Sequence, residues 1–368
     1  MTALPSLAGL RVLDLSRLLP GPYCTQLLTH MGAEVVKVET PVLGDYLRAS
    51  PPEFGLQAMF EPLNRGKKSV ALNYRNPAGQ ALLLRLVEGF DVVIESFRPG
   101  TLDRFGLGYA ALSARNPRLI FCALSGYGQT GPYHKRGGHD LNYLAVAGLL
   151  ALNSGAGEPV AQPGLQIADL AGGMLAAIAI LGALVERAHT GAGRYLDVAL
   201  LDGALSWALP LAAGAGARQP PVDHRGPLGG DLPCYRVYVT ADDQPVTLAA
   251  LEPHFWANFC AAVERPDLIP RQFDPAASAE VAAVFGGRRH AEWLAVFQQV
   301  DACVEPLTAP ADLRQHPQVR LREAALVPAE LAPAPALGQH TAEILHGLGL
   351  TAAELTDLAA RGIIRLAA

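Results

Sequence analysis

Before residue 125, short β-branched runs alternate with helix-patterned stretches, and this alternation restricts the fold more than any other feature of the chain. Leu10 to Leu15 reads as a strand, Tyr23 to Met31 as a helix stopped by Gly32, and Glu34 to Glu39 as the next strand. Ser69 to Leu72, Pro77 to Gly89 and Asp91 to Glu95 repeat the order, with Asn76-Pro77 as cap and first-turn proline. Tyr109 to Arg115 and Leu119 to Leu124 make a third helix–strand passage. Strands separated by single helices pair in parallel through right-handed crossovers, so an α/β fold with an open sheet is expected. The turn Pro20-Gly21-Pro22 lies where a dinucleotide loop would sit. It lacks the G-x-G-x-x-G spacing, and its prolines remove the backbone donors a pyrophosphate needs.

At 368 residues the chain is long enough for two cores. A Gly, Ala, Pro and Arg-rich stretch at 212–230 reads as a linker between a large α/β domain, 1–211, and a small α+β domain, 231–320. In the small domain, Cys234 to Thr240 and Val246 to Leu251 alternate about a turn at Ala241 to Gln244, as in a hairpin. Helices are expected at His254 to Glu264, Ala279 to Phe285 and Ala291 to Val300. Residues 321–368 return the chain to the large domain and end in a helix with a Thr351/Glu354 capping box.

Half of the residues are apolar and 17% are charged, the composition of a globular enzyme. The net charge of −5, without a basic run, gives nucleic acid no electrostatic footprint. Five scattered cysteines, with no C-x-x-C pair, support neither a metal site nor a disulfide framework, and reduced thiols point to the cytoplasm. Met1 to Pro5 has no secretory pattern. Leu170 to Val185 is continuously apolar but short of the roughly 20 residues of a bilayer span, so a buried helix is expected and no membrane.

Two stretches carry candidate chemistry. Gly137-Gly138-His139-Asp140 sets an imidazole beside a carboxylate after a glycine pair, and Asp140 can fix a tautomer. Asp169 stands before the long apolar helix, where it can serve as N-cap while burial raises its pKa. An imidazole and a carboxylate flanking a carbon acid can exchange a proton with it from either side. Glu252, in Leu251-Glu252-Pro253, is a first-turn acid that could orient His139. Lys37, Arg65, Lys67, Lys68 and Arg98 lie in or after the expected strands, where cations can hold phosphates.

Further motifs are familiar together. Gly9-Leu10-Arg11-Val12-Leu13-Asp14-Leu15, Pro20-Gly21-Pro22, Gly32 to Glu39, Asn64-Arg65-Gly66-Lys67-Lys68, Phe97-Arg98-Pro99-Gly100, Gly126 to Pro132 and Gly349-Leu350-Thr351 resemble the class III CoA-transferase (CaiB/BaiF-like) superfamily over nearly the whole chain. Gly138-His139-Asp140, Glu252-Pro253 and Asp301 to Pro306 are similar to its α-methylacyl-CoA racemase branch. One position departs: Thr40 follows Glu39 where related racemases carry an arginine. The resemblance implies a Rossmann-like large domain, a small α+β domain and a homodimer of interlocked chains, with Glu252 of one chain serving His139 of the other. It further implies an acyl-CoA substrate, no separate cofactor and no metal. The expected catalytic set is His139, Asp169, Glu252 and Asp140, and the expected CoA-binding set is Lys37, Arg65, Lys67, Arg98 and Tyr143. The rival is a CoA-transferase in which Asp169 is a covalent nucleophile, and a third reading is CoA binding without turnover.

Overall fold

The computed structural model describes residues 6–153, 159–215, 228–328 and 330–367; most of the expected linker, 216–227, lies outside them. The chain divides into two compact units, one of Met1–Leu149, Pro163–Pro210 and Glu323–Ala368, the other of Leu150–Gln162 and Leu211–Arg322. The short stretch Leu150–Gln162, read from sequence as part of the large domain, groups with the second unit.

The first unit opens with β1 (Arg11–Asp14), α1 (Pro20–His30), β2 (Glu34–Glu39), α2 (Phe60–Asn64) and β3 (Lys68–Leu72). It continues with α3 (Pro77–Val87), β4 (Val92–Glu95), α4 (Tyr109–Arg115), β5 (Ile120–Ser125) and α5 (Asp140–Ala147). Then come α6 (Ile167–Thr190), β6 (Arg194–Ala199) and α7 (Leu200–Ala215), the last running into the second unit. Pro20 rather than Pro22 takes the first position of α1, because Leu19 is its cap. Asn76 caps α3 by accepting the Ala78 N–H at 3.0 Å.

The strands lie in the order β3-β2-β1-β4-β5-β6, all parallel. The central strands are buried on both faces, as in a sheet covered on both sides. One face packs Leu13, Val36, Val93 and Phe121 against Leu83 and Leu86 of α3. The other is covered by α6, which packs along α1 and against β5 and β6. By length and composition α6 could cross a membrane, yet here it is a packed helix of the α/β layer. The strand order reverses between β1 and β4, and at such a switch the loops leaving the carboxyl ends part to leave a crevice.

In the second unit β7 (Tyr235–Val239), β8 (Pro245–Ala249) and β9 (Val304–Pro306) form an antiparallel sheet. With it come α8 (Pro253–Ala262), α9 (Ser278–Phe285) and α10 (His290–Phe297), around a core of Trp256, Phe259, Phe285, Trp293 and Phe297. After α11 (Pro317–Leu326), the chain adds α12 (Thr341–His346), α13 (Ala352–Ala360) and β10 (Ile364–Arg365) to the first unit. β10 pairs antiparallel with β3 and covers that edge of the sheet. Thr351 and Glu354 satisfy each other's backbone N–H groups at the start of α13.

Candidate active site

The crevice at the switch point gathers several of the candidate residues. Loops leaving β1, β4 and β5 and the starts of α5 and α6 line a cleft of about 510 Å³. Arg17, Phe97, Arg98, Ser125, His139 and Asp169 are among its walls. His139 and Asp169, thirty residues apart in sequence, thus face one space.

The helix starts explain how. His139 is the residue before α5, and its N–H donates to the Asn142 Oδ1 at 3.0 Å, leaving the ring exposed. Asp140 begins α5, and its Oδ1 accepts the backbone N–H of Asp169 at 3.0 Å, so the two helix N-termini meet there. Asp140 therefore anchors α6; no hydrogen bond joins it to the His139 ring among those of the described residues.

Asp169 is not the cap of α6. The helix begins two residues earlier, after Gln166, and Asp169 sits in its first turn. A helix N-terminus favours a charged carboxylate. Burial opposes that and wins: half-buried, and facing the Asp140 charge as well, the Asp169 carboxyl is pushed up to about 7.

Tyr143 is buried and donates its hydroxyl to the Gly138 carbonyl at 2.6 Å. Its ring lies so close to Gly126 that a Cβ there would stand 2.5 Å from the phenol oxygen, so only glycine fits. Burial first, then the Asp169 charge, raises its pKa. Tyr127 meets it edge-on at 5.0 Å.

The expected phosphate-binding cations separate. Arg98 lines the cleft. Lys37 lines a second cleft of about 390 Å³, but its buried ammonium is committed to Asp45 at 2.9 Å and the Ser16 carbonyl at 3.0 Å. Lys67 lines neither of these clefts and is not available to a ligand. It is buried, and its ammonium is held by Thr25 Oγ1 at 2.7 Å, the Pro22 carbonyl at 3.0 Å, Asn64 Oδ1 at 3.1 Å and Asp14 Oδ2 at 3.5 Å. Burial brings its pKa down to about 8 although Asp14 opposes the shift. Asp14 is itself lowered, since Lys37, Lys67 and the Ser16 and Thr25 hydroxyls outweigh its burial. Arg65 donates to the Leu331 carbonyl at 3.1 Å, and it too lies outside both clefts.

Glu252 belongs to the second unit. It precedes α8, is exposed, and makes no capping hydrogen bond.

Arg17 was missed from sequence. It lines both clefts together with Tyr46, donates to the Tyr46 hydroxyl at 2.7 Å, and stacks on Tyr46 at 4.6 Å and Phe97 at 4.8 Å. Its position directly after β1, at the carboxyl edge of the sheet, was the available signal.

Known proteins share this architecture. The family description "CoA-transferase family III" matches residues 7–339. Human α-methylacyl-CoA racemase is 33% identical over 98% of this chain and 97% of its own length. Human succinyl-CoA:glutarate CoA-transferase is 36% identical over 73% of this chain and 62% of its own. The crystal structure of a CAIB/BAIF family protein from Brucella suis superposes with a TM-score of 0.81 at 29% identity, covering 94% of this chain and 99% of that one.

Proposed function

This chain belongs to CoA-transferase family III, and on that premise we propose that it is a racemase of 2-methylacyl-CoA thioesters. The observation that carries the reading is the half-buried Asp169, with a pKa brought to about 7, in one cleft with the exposed His139 ring. A carboxyl balanced between its two protonation states near neutrality can both take and return a proton. In one direction the Asp169 carboxylate accepts the C2 proton, the C2–H electron pair becomes an enolate, and protonated His139 delivers a proton to the opposite face. In the other direction the roles exchange. The enolate oxygen needs donors, and backbone N–H groups of the glycine-rich loops serve, at about 3 kcal/mol each. CoA enters as part of the substrate, and no separate cofactor or metal takes part. The second cleft, which shares Arg17 and Tyr46 with the first, accommodates the CoA handle, and remote binding fixes the reacting carbon.

The proposal includes a cytoplasmic homodimer of interlocked chains, in which Glu252 of one chain orients His139 of the other. Exposure of Glu252 and His139 in the single chain agrees with a site completed on assembly. So do Met174, Ile178 and Val185, exposed apolar side chains of α6.

The second reading, CoA transfer through an anhydride on Asp169, draws support from the transferases among the relatives. The His139 ring in the same cleft counts against it, because a nucleophilic carboxylate needs no imidazole partner. Deuterium wash-in at C2 of (R)- and (S)-2-methylacyl-CoA in heavy water separates the two. Exchange without an acceptor acid supports racemisation. No exchange, together with inactivation by hydroxylamine in the presence of an acyl-CoA, would establish the transferase instead.

A further inference from the structure

One residue of the catalytic cleft holds a backbone conformation that its side chain disfavours. Leu18 has a φ of +64°, in the left-handed region that favours glycine. Among the described residues, Asp243, Glu264 and Cys303 also have a positive φ without being glycine, and none of them lines this cleft. The turn fixes Leu18 from both sides. The Arg17 N–H donates to Ser96 Oγ and the Leu18 N–H to Asp45 Oδ1, each at 3.2 Å. At Gly21 a Cβ would stand 2.2 Å from the Ser16 Cβ, so the chain doubles back tightly. A strained residue persists where its surroundings over-determine it.

The leucine side chain does not offset that strain by packing. It is 37% exposed, whereas Phe97, Leu124 and Leu200 of the same cleft are 7%, 2% and 7% exposed. Glycine would hold this turn more easily and forgo little burial, so what the leucine contributes lies in the cleft. Its turn abuts the start of α6. Leu170 packs on the apolar cluster that contains Leu19, and a Cβ at Gly173, one helical turn after Asp169, would lie 2.5 Å from the Pro20 carbonyl oxygen. Leu18 does not line the second cleft.

We propose that Leu18 is the wall that sets the size of the branch at C2, admitting a methyl group and rejecting longer substituents. The wall rests on the proposed action on branched acyl-CoA thioesters. An enolate formed between Asp169 and His139 is planar at C2, so its branch projects sideways from the line joining the two acid–bases, toward the cleft walls beside them. An aliphatic wall there gives up water to a methyl group without stranding a polar atom. A further methylene has to displace a leucine whose backbone is fixed on both sides. One methylene against an apolar wall discriminates by about tenfold or more.

Unreactive thioethers test the wall by titration calorimetry on the full chain: S-(2-methyloctyl)-CoA, S-(2-ethyloctyl)-CoA and free CoA. The wild-type protein should bind the methyl-branched thioether about tenfold more tightly than the ethyl-branched one. Leu18→Ala and Leu18→Gly should each remove that preference and leave affinity for free CoA within about twofold. Leu18→Gly should in addition raise the urea midpoint, since glycine takes a positive φ freely, whereas Leu18→Ala keeps the Cβ and most of the strain. A preference that survives in both variants, or a wild-type protein that binds the two thioethers alike, would overturn the proposal. Equal affinity losses for all three ligands, with a lowered midpoint in Leu18→Gly, would make Leu18 a structural residue and overturn it too. Because binding is read without turnover, a preference lost in Leu18→Ala alongside absent C2 exchange in the wild type would sink only the racemase reading.

Discussion

The backbone N–H of Asp169 donates to the Asp140 Oδ1 at 3.0 Å, so the hydrogen bond that joins two helix starts also brings two carboxyl groups together. Asp140 has the double effect of placing Asp169 at the cleft and, after burial, raising its pKa.

Asp140→Asn should separate the two effects. An asparagine oxygen still accepts the N–H, so the helix start stays in place, but the repulsive charge is gone. The Asp169 pKa then falls, and the acid limb of the pH profile for C2 exchange moves to lower pH. Burial, the larger cause, persists, so the limb stays above that of an ordinary aspartate. An unmoved limb would mean that Asp140 does not reach Asp169 electrostatically.

The same shift makes Asp169 a stability liability. Unfolded, the carboxyl titrates near its usual 3.8; folded, near 7. Between those values the folded chain holds more protons than the unfolded one, so this group's contribution to stability declines as pH rises from about 4 to about 7. Asp169→Asn removes the decline. At pH 8 the variant should be more stable than wild type by about 1–2 kcal/mol while C2 exchange drops by about a thousandfold. Urea denaturation of both proteins at pH 5 and pH 8 checks the sign: the gap must widen at the higher pH.

Lys67→Met tests whether this lysine is structural. Removing it leaves the buried Asp14 carboxylate without one of its two lysine neighbours and strands the Thr25 and Asn64 oxygens. Breaking a buried pair from one side costs about 3–5 kcal/mol. The denaturation midpoint should fall accordingly. A near-wild-type midpoint would show that the network tolerates its loss.

Two glycines of α6 offer a matched pair. At Gly173 a Cβ would lie 2.5 Å from the Pro20 carbonyl oxygen, so Gly173→Ala pushes α1 from α6 and costs about 1–3 kcal/mol. At Gly182 no atom of the same chain lies within 4 Å, so in the dissociated chain, at high dilution, Gly182→Ala gains about 0.5–1 kcal/mol from helix propensity. Thermal midpoints that move in opposite directions confirm the close approach at Gly173.

The parts legible in the chain were those that short-range chemistry decides. Strand and helix alternation, the Asn76 cap and the Thr351–Glu354 box all follow from neighbours within a few residues. The start of α6 was placed late because Asp169 is a better cap by residue type than Gln166, while its backbone N–H is drawn to Asp140, twenty-nine residues back. Lys37 and Lys67 read as phosphate-holding cations because a lysine usually keeps its ammonium in reach of solvent and ligand. Their burial depends on Asp45 and Asp14, carboxylates that only the folded sheet brings near. Arg17 gains its place from Tyr46 and Phe97, which lie on different loops.

The antiparallel pairing of Ile364 and Arg365 with β3 joins two segments almost three hundred residues apart. During synthesis, the β3 border must wait for nearly the whole polypeptide to leave the ribosome, with the second unit emerging first. Such long-range closure is slow and leaves a strand border open to mispairing meanwhile. Deleting the β10 residues should therefore lower the yield of soluble protein more than it lowers the equilibrium stability of what does fold.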